Sequence, residues 1–465
     1  KEIRTVEKIM TGALVIFYFA GFHITALNLL LHGMHKPVGI PNRFAFILIF
    51  LLLRMSCDAW GKTEKVSEKR LFAGFAAVEI FCMVVGIKSG KAGEVLLTEG
   101  ILAGMFLTVW TGNYFCGKLS RHPFGCVEIR KICGGVLAVL ILAETGIHGI
   151  VSITDNGTAN RDIYVESEQE IGGLLESAGV DQVDYRTAIV NPLVRNEEIL
   201  YQLNGMSMYS STNTEEMWNF VKNMGFENLE NRFQYAGSTE VMDMLLGIRY
   251  LFCRNTRTLH TAYKKIAESQ SFDLYENPRA LRSGYMVSDS VLDYAMEGTD
   301  PLEVQNRLLS GIVGKRLYKM QTVNSDTALI GNTTFNIHLK KGEHGYLYIP
   351  GTEPDTVTIN GQEQKSDYWN NNFLDLGTYN VDTIMQMTTG TGMHEAVLGT
   401  YQESELDSIY EELSSQQMDL KDGKGSISVK KDGILMLSVF YDPDMKVYVD
   451  GEKADVKSIQ GLTGV

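Results

Sequence analysis

Ile132-Cys-Gly-Gly-Val-Leu-Ala-Val-Leu-Ile-Leu-Ala-Glu-Thr-Gly-Ile-His-Gly-Ile-Val-Ser-Ile153 is a 22-residue run in which Glu144 is the one carboxylate and His148 the one histidine. A bilayer core needs roughly 20 residues of helix, so the run reads as a membrane span rather than a core helix of a soluble domain. Four further apolar stretches lie upstream, at residues 10–31, 44–60, 71–87 and 95–116. The second and third are 17 residues long, the lower limit for a span. Residues 44–60 fit least well, because Arg54 and Asp58 fall in the last turns. The aliphatic stem of Arg54 can lie in lipid with its head at the interface, and Trp60 suits the headgroup belt.

Orientation follows from the short loops, because Lys and Arg concentrate on the cytoplasmic side. Twelve lie on one side: Lys1, Arg4 and Lys8; Arg54, Lys62, Lys65, Lys69 and Arg70; Lys118, Arg121, Arg130 and Lys131. The alternate loops hold Lys36, Arg43, Lys88 and Lys91. Five crossings with the N-terminus inside place residues 154–465 outside the cell. The charge balance shifts at the same point. Residues 1–153 hold 16 basic and 10 acidic residues, whereas 154–465 hold 26 and 46. Such an acidic segment repels phosphates, so no nucleic-acid partner is expected. No signal peptide is visible, since the first apolar run is too long and lacks a cleavage site. The chain begins at Lys1 and stops at Val465 inside a strand-rich region, and both ends read as cuts in a longer protein.

The expected architecture is a membrane α-helical bundle of about five spans at 1–153. An extracytoplasmic α+β domain follows at 154–320, then a β-sandwich-like module at 321–400. Residues 401–465 read as a linker helix and the start of a second, truncated β module. Residues 185–190 read as a strand ended by Asn191-Pro192. Ser211 through Glu216 supply helix-start chemistry. Met217, Phe220, Val221 and Met224 then recur at helical spacing until Gly225. Residues 240–247 read as a short helix, 248–253 as a buried strand and 403–417 as a polar helix. Residues 347–361 and 437–451 echo each other as strand, Pro-Asp turn, strand and Asn-Gly or Asp-Gly hairpin turn. Five of the six cysteines (Cys57, Cys82, Cys116, Cys126 and Cys133) lie in the membrane third, and Cys253 is alone in the rest.

Besides Asp58, three carboxylates fall inside the apolar runs. Ionised groups in lipid are costly and usually face protein or water. Glu99 reads as interfacial, Glu79 equally as a helix–helix hydrogen bonder or a path residue, and Glu144 with His148 as functional. The densest polar loop lies between the first two runs and holds Asn28, His32, His35, Lys36, Asn42 and Arg43. Arg43 starts a helix at the membrane surface, where a lipid phosphate would lie and an Arg fork would bind it. Anchoring to ordinary headgroups explains Arg43 at least as well. His32-x-x-His35 offers only two ligands in a loop, so no metal is expected, and no cofactor motif is present. Asp442-Pro443-Asp444 is better explained as turn chemistry than as a sugar-nucleotide site. Trp218, Tyr209 and Trp369 could stack on sugars, although core packing is the commoner use.

Several segments together resemble one family. Asn28-Leu-Leu-Leu-His32-Gly33 followed by Pro41-Asn42-Arg43-Phe44-Ala45-Phe46 resembles a segment of the bacterial YfhO membrane proteins. Met208 through Asn213, Leu246-Gly-Ile-Arg-Tyr-Leu251, Leu274-Tyr-Glu-Asn-Pro-Arg-Ala280 and Tyr441 through Gly451 match in the same order. Asp444-Met445 stands where that family usually has Gly-Trp. The resemblance implies a polytopic glycosyltransferase of the GT-C class in the bacterial plasma membrane. Its partners would be the lipid bilayer, a polyprenyl-phosphate-linked sugar and a cell-wall polymer acceptor resembling lipoteichoic acid. It also implies that the catalytic acid lies in the first outer loop of the whole protein, before Lys1, so no catalytic residue is assigned here. The substrate-binding candidates are His32, Arg43, Asn28, His35 and Glu144. A non-catalytic, membrane-anchored module that binds or assembles the envelope is the competing expectation. A transporter component, prompted by Glu79 and Glu144, is a third, but no inverted repeat supports it.

Overall fold

The computed structural model describes residues 4–36, 42–60, 67–88, 92–118, 123–157, 159–180, 182–229, 232–254, 263–294, 298, 300–324, 327–329, 332–349, 357–359, 362–364, 369–370, 373–389, 395–421 and 423–465. The chain divides into two compact units, Lys1–Asn160 and Arg161–Val465.

The first unit is helical: α1 Thr5–Gly21, α2 Thr25–Leu31, α3 Ala45–Trp60, α4 Glu68–Lys88, α5 Ala92–Lys118 and α6 Pro123–Asp155. Three of them contain apolar spans long enough for a membrane, at Lys69–Lys88, Val95–Lys118 and Gly125–Asp155. α5 packs between α4 and α6. Phe75 stacks on Phe106 at 4.2 Å between ring centres. Gly112 lets α5 approach α6 so closely that a Cβ there would meet Cys133 Sγ at 2.8 Å, the small-residue contact typical of helices in lipid. A disulfide joins Cys116 at the end of α5 to Cys126 at the start of α6.

The expected continuous span at 10–31 is instead broken. α1 and α2 meet at 106° across the three residues 22–24. Ile24 turns to an extended backbone with φ −106° and ψ 110°, which ends the helical hydrogen-bond ladder. Gly21 permits the fold-back, since a Cβ there would lie 2.6 Å from Leu31 Cδ1. α3, at 16 residues, is about 24 Å long, less than the ~30 Å of a typical hydrocarbon core.

The second unit is α+β. A four-stranded sheet has the order Arg186–Ile189, Ile248–Arg254, Phe272–Glu276, Lys264–Glu268, and its first pair is parallel. α7 Arg161–Ala178 buries Ile171 and Leu174 in a core shared with Ile189, Phe252 and Leu274 of this sheet. α8 Glu197–Leu200, α9 Glu215–Asn223, α10 Glu240–Leu245, α11 Pro301–Val313 and α12 Glu403–Ser414 follow in the chain. α9 starts where its capping chemistry places it, with Thr214 Oγ1 accepting from Met217 N and Gly225 at φ +97° just past its end. It turns Phe220 and Val221 inward.

A five-stranded antiparallel sheet has the order Trp369–Asn370, Phe373–Thr378, Glu343–Tyr348, Glu395–Gln402, Lys319–Asn324. It shares an apolar core with a three-stranded sheet. Phe335, Ile337 and Leu339 of the smaller sheet meet Leu347, Leu374 and Leu398 of the larger, which gives sandwich-like packing. The two echoing stretches both form hairpins, Val357–Ile359 with Gln362–Gln364 and Tyr448–Val449 with Glu452–Lys453. Asp450 and Gly451 both have positive φ, as a tight hairpin turn requires. The strands that precede the hairpins have different surroundings. Glu343–Tyr348 is central in the five-stranded sheet, whereas Ile434–Phe440 lies between Leu462–Gly464 and Gly284–Val287. Asp442 accepts from Asp444 N through its side chain and from Met445 N through its carbonyl, so this segment is a turn. Its counterpart at Pro354 lies outside the described residues.

Candidate functional site

The break after α1 creates a polar corner from residues the sequence singled out. Asn28 Nδ2 donates to the Gly21 carbonyl at 3.1 Å, which the broken ladder leaves without a helical partner, and to Asn42 Oδ1 at 3.1 Å. His32 Nδ1 lies 2.8 Å from the Asn28 carbonyl. A carbonyl can only accept, so the proton is on Nδ1. In the neutral ring Nε2 is then a bare acceptor, and in the charged ring it is a donor. Nε2 is buried and makes no hydrogen bond among the described residues. The ring stands edge-on to Phe44 at 5.4 Å, and Phe22 stacks on the same phenyl at 5.1 Å. Arg43 and His35 are exposed.

The corner therefore joins Asn28, His32, Asn42 and Phe44, with Arg43 next to Phe44 in the chain. Glu144 is on α6, half-buried, and its neighbour His148 meets Thr98 of α5 through Nε2 at 3.2 Å. Glu99 is one of the few buried residues among those described in the first unit. Glu79 faces it from α4 within hydrogen-bonding reach.

The second unit contains a buried ion network. Arg279 reaches Glu240 at 3.1 Å, Glu403 at 2.7 Å and Asp407 at 2.7 Å. Tyr401 Oη donates to Glu240 at 3.0 Å. His344 reaches Asp375 through Nε2 at 2.9 Å and Glu403 through Nδ1 at 3.4 Å, and it stacks on Tyr401. Burial pushes the imidazole down, but the Asp375 carboxylate, with hydrogen bonds to Asp375 and Glu403, outweighs it and holds His344 at about 10. Glu403 is held low by its hydrogen bond to His344, against burial and with help from Arg279. Burial pushes Glu240 up, opposed by His344 and Arg279.

Glu240, His344 and Glu403 have ligand atoms within 4.8 Å of one another, close enough for a metal. The donor set does not suit one. A protonated imidazole cannot ligate, and the Arg279 guanidinium already contacts both carboxylates. The network ties α10, the 277–281 turn, the five-stranded sheet and α12 together. In the sequence Arg279 stands only within the 274–280 motif. Its partners lie 39 to 128 positions away, so no local pattern exposes them. The motif's Asn277 sets the turn, donating to the Ile248 carbonyl and accepting from Arg279 N.

The family model of the bacterial membrane protein YfhO matches residues 1–465. This chain belongs to the YfhO family. It is 21% identical over 377 residues to the uncharacterized protein YfhO of Bacillus subtilis (strain 168), covering 76% of this chain. The match spans 42% of that relative's length. No solved structure matches. The chain is thus a bacterial membrane protein of the YfhO family, with three apolar helices long enough to span among the described residues and a sheet-rich unit after them.

Proposed function

We propose that this YfhO-family chain is part of a membrane glycosyltransferase that moves a sugar from a polyprenyl-phosphate carrier to a lipoteichoic acid-like envelope polymer on the outer face of the cell. The observation that carries the reading is the corner at His32. Among the described residues the buried Nε2 there has no partner, its tautomer is set by the Asn28 carbonyl, and the ring meets Phe44, whose chain neighbour Arg43 is exposed. That pair has the chemistry to receive a lipid phosphate: a guanidinium fork for its oxygens and an imidazole that donates once charged. Asn28 shapes the corner, and the reading leaves the catalytic acid unassigned.

The test is sugar transfer by the full-length protein in a host lacking its own copy, read by mass spectrometry of envelope polymers. His32→Ala and Arg43→Ala are each expected to reduce added sugar at least ~10-fold, the value of one lost charge-assisted hydrogen bond. Wild-type transfer by both variants would remove the corner from the carrier site. No added sugar from well-expressed wild-type protein would favour the non-catalytic envelope-binding or assembly module.

The proposal has five crossings, with the α1–α2 pair and α3 each counted once, the N-terminus inside and 154–465 outside. One feature opposes this orientation. The Cys116–Cys126 disulfide joins the end of α5 to the start of α6, on the side that the lysines and arginines place in the cytoplasm, where thiols stay reduced. With the N-terminus inside, both sulfurs are expected as free thiols in cells, each adding a maleimide–polyethylene glycol mass after rapid trapping. Protection of both until reductant is added would reverse the orientation.

A further inference from the structure

In the second unit, α8 is inverted. Its sequence is Glu197-Glu-Ile-Leu200, and the carboxylates are inside: Glu197 is 0% and Glu198 1% exposed, whereas Ile199 is 55% and Leu200 50%. A short surface helix ordinarily turns the other way. The inversion is built in, because both carboxylates are fully engaged. Glu198 accepts from Ile189 N, Ser207 N and Ser207 Oγ at 3.1, 2.8 and 2.9 Å. Glu197 accepts from Leu193 N and Tyr201 Oη and pairs with Arg254. Asn196 exchanges hydrogen bonds with the backbone of Tyr209, closing the segment on itself. The pinned segment displays Leu193, Val194, Ile199, Leu200 and Tyr209. These are four aliphatic side chains and an aromatic ring with a polar tip, a combination that suits a lipid interface.

We propose that residues 193–209 rest on the surface of the bilayer that anchors the chain. The covalent connection favours lipid over other occupants. α6, an apolar span, ends at Asp155 and α7 begins at Arg161. The five residues between reach at most about 18 Å. α7 is about 27 Å long, and its Ile171 and Leu174 pack in one core with Tyr201 and Leu203 of the pinned segment. The display is therefore leashed to a membrane at every moment. A tethered surface needs only a small apolar area to stay engaged, because the loss of free translation is already paid by the anchor.

The test uses the full chain reconstituted in vesicles of phosphatidylcholine and phosphatidylglycerol. The photoreactive benzoylphenylalanine replaces Leu200 or, as control, Val381, an exposed loop residue elsewhere on the same unit. Lipid adducts at position 200 are expected at about ten times the yield at 381, the enrichment a held surface gives over chance encounter. Equal yields at the two positions, or adducts at 200 only to a second copy or another protein, would overturn the proposal. The result does not depend on sugar transfer.

Discussion

Replacing Arg279 with alanine is expected to lower the melting temperature of the full chain by roughly 10 °C. The guanidinium is the cation shared by Glu240, Glu403 and Asp407, and Glu240 is only 2% exposed. Removing one partner of a buried pair costs about 3–5 kcal/mol, because the carboxylates lose the cation they share and Glu240, still buried, regains no water. In a unit this large each kcal/mol lowers the melting temperature by about 2–4 °C. Thermal scanning of the purified protein in detergent measures the shift. Arg279→Lys is expected to recover only part of the loss, since an ammonium cannot reproduce a three-way fork. A shift under about 2 °C for the alanine variant would show that the network contributes little to stability.

His344 gives the second large effect, as a loss of stability at alkaline pH. Its folded-state value of about 10 lies above the ordinary 6.5. A group whose value rises on folding stabilises fully below its ordinary value and loses that contribution as pH climbs toward the folded one. The window is therefore about 6.5 to 10, and the difference is on the order of 5 kcal/mol. Asp243 adds a separate slope at lower pH. Burial holds it at about 7 against hydrogen bonds from Ser238, Tyr263 and Tyr235, so stability also falls between its ordinary 3.8 and 7. The His344 signal is thus read above pH 7. There the denaturation midpoint of wild type is expected to fall toward pH 10, while that of His344→Gln is lower at pH 7 and changes less. Parallel curves for the two proteins would mean that His344 is not the titrating group.

Much of the fold was legible because its signals are local. Thr214 with the 217, 220, 221, 224 periodicity gave α9, and Ile248 through Cys253 gave a buried strand. The polar run from Glu403 gave α12, and Asp450-Gly451 gave a hairpin turn. The apolar runs gave the membrane helices, because lipid leaves a backbone few other solutions. The break at 22–24 was not legible. No proline marks it, and it depends on Gly21 meeting Leu31 and on Asn28 reaching back to a carbonyl, both contacts made only after folding back. The corner was legible as a list, since Asn28, His32, Asn42 and Arg43 lie within 16 residues. The bare nitrogen of His32 was not, because it depends on which carbonyl the other nitrogen finds. The Arg279 network was hidden for a related reason. Its members come from five separate regions of the chain, and only the fold brings them together. The inverted α8 reads in sequence as two acids and two aliphatics, and partners as far off as Ser207 and Arg254 help decide which pair goes inside.

The strand Gly284–Val287 pairs with Ile434–Phe440, which in turn pairs with Leu462–Gly464 near the last residue. A ribosome adding roughly 5–20 residues per second takes on the order of ten seconds to make the intervening chain. Throughout that interval the edge formed by residues 284–287, with the fully buried Tyr285 among them, has been synthesised without the strand that covers it. For a chain that is also being threaded into a membrane, this interval is one in which a nascent-chain chaperone at the membrane would have an apolar edge to hold.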